Sequence, residues 1–147
     1  MPSFKGHSAA RTSAYSRTDL FCICYSVVYK PSFDNVKNWL KEIGYHLNDY
    51  SRILLIGTKT DLREDPVAID TLQKKGLEPL TYNDGFNLAK EIDAIGYVEC
   101  SALTGDYLES VFEQIYKFCV QTKIQNIDSI SDYQIPHLIS RAKSARK

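Results

Sequence analysis

The chain has 147 residues, of which 44% are apolar and 24% are charged. This length suits one domain with a buried core, and the composition is that of an ordinary soluble protein. Basic and acidic residues both number 18, so no net charge favours a nucleic-acid or membrane partner. No apolar run reaches the length of a membrane span, and the first residues lack the apolar core of a signal peptide. We therefore expect a cytoplasmic protein.

The first half of the chain predicts coil, strand, helix and strand. Residues 1–14 are small and polar without a period, which predicts coil. Residues 20–28 are apolar on both faces, as in a strand buried within a parallel sheet. A helix should begin at Pro31-Ser32, with Ser32 as its N-cap, and a second strand should cover residues 52–57. The apolar face of that helix repeats at helical spacing: Phe33, Val36, Leu40, Ile43 and Leu47.

The second half predicts further helices around a third strand. Asp65-Pro66 should open a short helix that Gly76 closes, with Ile69 and Leu72 facing inward. The segment from Thr81 to Asp84 should cap the next helix. Its apolar residues are Phe86, Leu88, Ala89 and Ile92.

The last predicted strand is Tyr97-Val98-Glu99-Cys100, and the clearest helix follows from about Tyr107 to Gln121. The apolar stripe of that helix is Leu108, Val111, Phe112, Ile115, Cys119 and Val120. Residues 122–147 are polar with a basic end, and we predict a mostly disordered tail. Alternating strands and helices predict an α/β fold, a parallel sheet with helices on both faces.

The cysteines and histidines give no metal or catalytic site. Cys22, Cys24, Cys100 and Cys119 include no second pair at zinc-ligand spacing, so we expect buried, reduced structural thiols. Each of the three histidines lacks a neighbouring second ligand in the sequence, which favours solvated side chains.

One stretch has the pattern of a ligand site, Ile53-Leu54-Leu55-Ile56-Gly57-Thr58-Lys59-Thr60-Asp61-Leu62. Ligands collect beyond the carboxyl ends of parallel strands, where Lys59 and Asp61 lie. A carboxylate there can accept two hydrogen bonds from adjacent N–H donors of guanine, and adenine lacks that pair of donors. The alternative is that Lys59 and Asp61 are two solvated charges in a loop.

A second loop, Ser101-Ala102-Leu103, follows the third strand. Adjacent parallel strands would bring it beside Asp61. Ser101 could then bond Asp61 and fix its rotamer, and the Ala102 amide could donate to a guanine carbonyl. Lys59 could lay its aliphatic stem along a purine face. Two loops with complementary chemistry favour guanine over solvated charges.

At these loops the chain resembles the Rho/Rac branch of the Ras-like small GTPases. Gly57-Thr58-Lys59-Thr60-Asp61-Leu62-Arg63 is similar to that branch's Gly-Thr-Lys-x-Asp-Leu-Arg. Glu99-Cys100-Ser101-Ala102-Leu103-Thr104 is similar to its Glu-Cys-Ser-Ala-Leu-Thr. Leu77-Glu78-Pro79-Leu80-Thr81-Tyr82 and Ala89-Lys90-Glu91-Ile92 look similar too, and Tyr15-Ser16-Arg17-Thr18-Asp19 resembles the segment that leads out of the second switch.

The resemblance covers residues 11–121 and implies a partial P-loop NTPase fold of the Ras-like, Rossmann type, with its first strands missing. It implies that residues 15–121 are the C-terminal part of a Rho-like domain, with the extra helical insert of Rho proteins at residues 64–80. The implied ligand is GTP or GDP, with Mg²⁺ in the family, and the implied role is signal transduction to the actin cytoskeleton. The implied guanine-binding residues are Thr58, Lys59, Asp61, Ser101, Ala102 and Leu103.

Several elements that the resemblance leads us to expect do not occur in the sequence. It has no Gly-Lys dipeptide and hence no Gly-x-x-x-x-Gly-Lys-Ser/Thr loop to hold phosphates. The first-switch threonine segment for magnesium and the Asp-x-x-Gly-Gln segment for the attacking water do not occur in their places either. We therefore expect weak or lost nucleotide binding, no catalytic or metal-binding residue and no hydrolysis by this chain alone.

The same comparison bears on partners and on the sheet. Without the family's first strand, the strand at residues 20–26 should lie at an exposed sheet edge. No Cys-a-a-X box follows Cys119, so we expect no stable membrane anchor and only weak attraction of the basic tail to lipid. The alternative function is a non-catalytic interaction module, or pseudo-GTPase, that binds effectors or regulators of its full-length relatives.

Overall fold

The computed structural model describes residues 8–15, 18–47 and 51–120. Its elements in chain order are α1 (Ser8–Tyr15), β1 (Leu20–Ser26), α2 (Lys30–Asp34), α3 (Val36–Gly44), β2 (Arg52–Thr58), a 3₁₀ helix (Thr60–Arg63), α4 (Pro66–Gln73), α5 (Tyr82–Glu91) and β3 (Gly96–Cys100). The described part of the last helix, α6, covers residues 108–120.

The chain divides into two units, Met1–Glu113 and Gln114–Lys147. The sheet and every loop discussed below belong to the first unit. Of the second unit the structure describes residues 114–120, which are helical. No helix in the described ranges is long and apolar enough to cross a membrane.

The three strands form one parallel sheet in the order β1-β2-β3. Its register aligns Tyr25, Gly57 and Glu99 across the sheet, and the last pairs join Ser26 to Thr58 and Thr58 to Cys100. The predicted α/β fold with a parallel sheet flanked by helices is thereby confirmed. Among the strands that the structure describes, β1 also lies at the predicted edge.

The core lies on one face of β1 and around β2. Phe21, Ile23 and Tyr25 alternate inward along β1, where they join Leu55 and Val36, which have no solvent exposure. Because strand side chains alternate between faces, Cys22 and Cys24 point to the opposite side and are exposed. The expectation that the cysteines are buried is therefore wrong for these two and for Cys119, which is exposed on α6. It is confirmed for Cys100.

The predicted starts of α4 and α5 are confirmed by their caps. The Asp65 carboxylate accepts a hydrogen bond from the Ala68 amide at 2.7 Å, and Pro66 occupies the first turn. Thr81 and Asp84 form a reciprocal capping box, in which each side chain accepts from the other residue's amide. Such local signals depend on a few neighbouring residues, which is why the sequence shows them clearly.

The prediction of coil over residues 1–14 is wrong for residues 8–14, which are helical in α1. Alanine and arginine are good helix formers, and Arg11 and Tyr15 lie one turn apart. Both donate to the Glu42 carboxylate of α3, at 2.8 and 2.9 Å, so a distant contact helps to fix the helix. Residues 1–7 and the predicted tail at 122–147 lie outside the described residues.

Two other helix predictions need correction. The segment after Pro31 forms two helices, α2 and α3, and Ser32 lies inside the first rather than capping it. Its hydroxyl instead accepts from the Ser26 amide and donates to the Tyr29 carbonyl. Phe86 and Phe112, predicted to lie on the apolar faces of their helices, are 39% and 62% exposed. Helical spacing alone did not reveal this, because it does not show how wide the packed face of a helix is.

Gly85 shows how closely α5 packs against the sheet. It is buried in the helix, and a Cβ there would lie 2.1 Å from Tyr97 Oη and 2.3 Å from Tyr25 Oη. The Tyr25 ring is buried and the Tyr97 ring is partly buried, and because their hydroxyls are hydrogen-bonded to each other neither can swing away freely. The glycine is therefore required by side-chain packing, although glycine normally weakens a helix.

We predict that Gly85→Ala destabilises the protein by about 1–3 kcal/mol, the usual cost of overpacking a core. The matched control is Gly44→Ala in α3, where a Cβ would meet nothing within 4 Å. That change should be neutral or stabilise by up to about 1 kcal/mol. Denaturant unfolding of both variants measures the difference, and a Gly85→Ala protein as stable as Gly44→Ala would contradict the packing argument.

Candidate functional site

The first loop of the site, here the β2 loop (residues 58–63), turns sharply as it leaves the sheet. Thr58 ends β2, and its hydroxyl donates to the Tyr25 carbonyl at 2.8 Å, which ties the loop to β1. Lys59 has a φ of 62° and a ψ of 41°, in the left-handed region, and its side chain is exposed. This reversal starts the 3₁₀ helix, and Asp61 lies in its first turn.

The second loop, the β3 loop (residues 101–105), is built around the Ser101 side chain. Ser101 has no solvent exposure. Its Oγ accepts hydrogen bonds from the amides of Leu103 and Thr104, both at 3.2 Å. Its carbonyl accepts from the Gly105 amide at 2.9 Å, which closes the turn. Ala102 and Leu103 are exposed at the tip, Leu103 by 83%.

The two loops meet through one hydrogen bond. Ser101 Oγ donates to Asp61 Oδ1 at 2.5 Å, although the residues are 40 positions apart. The predicted contact between Ser101 and Asp61 is thereby confirmed. Asp61 is half-buried and hydrogen-bonded, whereas the Lys59 side chain is exposed, as the alternative of a solvated loop charge expects.

Two groups beside this hydrogen bond could bind a ligand because they have no hydrogen-bond partner in the described part of the chain. Within the described residues, Asp61 Oδ2 accepts no hydrogen bond and the Ala102 amide donates none. A charged acceptor and an N–H donor therefore lie on neighbouring loops at the sheet's carboxyl edge, next to an exposed lysine stem. Paired N–H donors with an adjacent carbonyl, as on the edge of guanine, have the complementary chemistry.

The sequence reasoning missed a second connection between the loops. Arg63 Nη1 and Nη2 donate to the two oxygens of Glu99 at 2.8 and 2.7 Å, a bidentate ion pair. Those hydrogen bonds raise the pKa of Arg63. The sequence did contain a signal for this pair: Arg63 lies two positions after Asp61, and Glu99 lies two positions before Ser101.

No group of three or more potential metal-ligating side chains occurs among residues 8–15, 18–47 and 51–120. The expectation of no catalytic or metal-binding residue remains a prediction. So do the guanine-binding roles of Thr58, Lys59, Asp61, Ser101, Ala102 and Leu103.

We predict that Ser101→Ala destabilises the protein by about 1–3 kcal/mol, because the amides of Leu103 and Thr104 and the Asp61 carboxylate all lose the buried hydroxyl that they bond. Hydrogen exchange at the Leu103 and Thr104 amides should accelerate. Ser110→Ala, an exposed position on α6, is the control and should change stability by less than about 0.5 kcal/mol. Unchanged exchange in Ser101→Ala would show that its hydroxyl does not hold the loop.

The family model described as the Ras family matches residues 5–121. That range contains all three strands, the β2 loop and the β3 loop. The three-stranded parallel sheet agrees with this match as part of a P-loop GTPase fold. Because the match covers most of the 147 residues, the chain belongs to the Ras family of small GTPases.

Proposed function

We propose that this chain is a Rho/Rac-like member of the family whose β2 and β3 loops read a guanine base. The observation that carries the proposal is the Ser101–Asp61 hydrogen bond, which orients the carboxylate beside the open Ala102 amide. The Rho/Rac assignment is supported by the Gly57–Arg63 and Glu99–Thr104 motifs and by the extra helix α4.

Each loop residue has a distinct role in this proposal. The Asp61 carboxylate accepts hydrogen bonds from the two adjacent N–H groups of guanine, and the hydrogen bond from Ser101 fixes the rotamer of Asp61. The Ala102 amide donates to the guanine carbonyl, and the exposed Leu103 covers the edge of the ring. Lys59 stacks its stem on the purine face, and Thr58 anchors the loop to β1 through the Tyr25 carbonyl.

The groups required at the other end of a nucleotide are not found in this sequence. Family members hold GTP or GDP through phosphates and Mg²⁺ as well as through the base, and phosphoryl transfer depends on that half. The 147 residues contain no Gly-Lys dipeptide. We therefore propose that the chain alone binds guanine nucleotides weakly and does not hydrolyse GTP.

The test compares GMP with AMP, which carry the same phosphate and sugar, by NMR titration of the isotope-labelled chain. We predict weak but selective GMP binding that perturbs the β2 and β3 loops. Asp61→Ala should lower GMP affinity by more than about 100-fold, since two hydrogen bonds to a charged group are worth about 3–6 kcal/mol in total. Glu64→Ala removes an exposed charge three residues away and should leave the affinity unchanged.

Two results would contradict the proposal. Equal binding of GMP and AMP would show that the loops do not read the base. A submicromolar Kd for labelled GDP with Mg²⁺, or phosphate release from GTP above a buffer blank, would show that the chain holds the phosphates after all.

A second candidate function is a non-catalytic module that binds Rho effectors or regulators. The supporting observation is an apolar groove of about 400 Å³ between α4 and the start of α2. It contains Leu72 and Leu77, and Val67 at its side is 73% exposed. A groove lined largely by apolar side chains can accept an apolar side chain of a partner protein.

The two functions respond differently to substitution. Under the second, Val67→Asp should weaken binding to purified effectors or regulators of Rho relatives, while Asp61→Ala leaves that binding unchanged. Under the first, Asp61→Ala alone affects GMP selectivity.

A further inference from the structure

Four side chains form a hydrogen-bonded chain beneath the two loops, here called the Arg63–Tyr25 network. Arg63 donates to both Glu99 oxygens, and Tyr97 donates to Glu99 Oε1 at 2.5 Å. The hydroxyls of Tyr97 and Tyr25 lie 2.5 Å apart. Arg63 Nε also donates to the Leu80 carbonyl at 3.0 Å. The network thus links β1, β3, the 3₁₀ helix and the segment before α5.

The network begins next to the residues proposed to read guanine. Arg63 ends the 3₁₀ helix two positions after Asp61, and Glu99 lies in β3 two positions before Ser101. The ion pair therefore joins the β2 and β3 loops a second time, in addition to the Ser101–Asp61 hydrogen bond. A bidentate pair fixes orientation as well as distance, because both guanidinium donors must face both carboxylate oxygens.

The ion pair is largely removed from water. The side chains of Arg63 and Glu99 retain 27% and 11% of their exposure. Burial, followed by the hydrogen bonds to Glu99 and Tyr25, raises the pKa of Tyr97, so this hydroxyl stays protonated and donates at neutral pH. Burial also raises the pKa of Tyr25 to about 12. The two tyrosine hydroxyls therefore stay protonated over the physiological range.

Gly57 makes room for the network to cross the middle strand. It lies in register between Tyr25 and Glu99. A Cβ at Gly57 would lie 2.8 Å from Tyr97 Oη, 3.1 Å from Glu99 Cγ and 3.3 Å from Tyr25 Oη. Because Gly57 has no side chain, the Tyr25 and Tyr97 hydroxyls and the Glu99 side chain can pack directly over the backbone of β2.

We propose that Arg63 and Glu99 are positioning residues for base recognition, which hold Asp61 and the Ala102 amide at the spacing that guanine requires. Neither side chain needs to touch the ligand, since each acts through the loop next to it. This inference rests on the proposed guanine-binding function. It also predicts a property of the free protein, the ordering of the β3 loop, which can be measured without any ligand.

The experiment uses Glu99→Gln, which keeps the shape and removes the charge, and Arg63→Lys, which keeps the charge and removes the bidentate geometry. Hydrogen exchange at the Leu103 and Thr104 amides is measured in the free protein, and GMP and AMP are then titrated. We expect faster exchange in both variants and a GMP-over-AMP preference reduced about tenfold, the scale of one weakened charge-assisted interaction. Arg63→Lys should lose less than Glu99→Gln.

The matched control is Glu42→Gln. Glu42 accepts from Arg11 and Tyr15 with the same chemistry as Glu99, but it binds α1 to α3. This variant should leave both the loop exchange and the GMP preference unchanged, which separates positioning from a general effect of losing an arginine–glutamate pair. If Glu99→Gln does not fold, Arg63→Lys provides the same comparison.

The two proposals fail in different ways. If the unsubstituted chain shows no preference for GMP, the proposed function is wrong, and the exchange data still decide whether the ion pair orders the loop. If Glu99→Gln and Arg63→Lys fold and keep both the wild-type exchange and the wild-type GMP preference, the positioning role is overturned. Faster exchange with an unchanged preference would also overturn it, because the pair would then be only structural.

Discussion

The parallel register of β2 between its two neighbours is the constraint on which the site depends. It places Thr58 beside Cys100, so the chain leaves both strands at the same edge and the next residues form facing loops. A shift of one residue would turn every side chain of a strand to the other face. Asp61 and Ser101 would then lose their hydrogen bond, and Gly57 would no longer lie between Tyr25 and Glu99.

The sequence contained enough information for the strands, the caps of α4 and α5 and the two loops, because each depends on residues close together in the chain. Thr81 and Asp84 cap α5 across three positions, and the run before Gly57 has the apolar composition of a buried strand. The facing of Asp61 and Ser101 followed from one further rule, that parallel strands end at the same edge.

What could not be predicted depends on partners far away in the sequence. α1 is fixed partly by Glu42, which lies 31 positions from Arg11, and the Arg63–Glu99 pair spans 36 positions. Periodicity also cannot show how much of an apolar helix face packs against a neighbouring element. The exposure of Phe86 and Phe112 therefore could not be predicted from the sequence. From the sequence alone, Gly85 is a residue that weakens a helix. The structure shows that it is required, because a Cβ there would collide with the Tyr97 hydroxyl.

The energetics of base binding explain why, under the proposed function, selectivity for guanine is expected together with low affinity. Two hydrogen bonds to the Asp61 carboxylate contribute about 3–6 kcal/mol in total at the usual values. Association costs at least about 4 kcal/mol in lost translational and rotational freedom, and a millimolar Kd already requires about 4 kcal/mol of net binding. Base contacts alone therefore give selectivity at low affinity. When the net binding free energy is this small, the rigidity of the two loops matters more. If the ligand first had to order the Asp61 carboxylate and the Ala102 amide, that cost would cancel the free energy gained from the hydrogen bonds to the base.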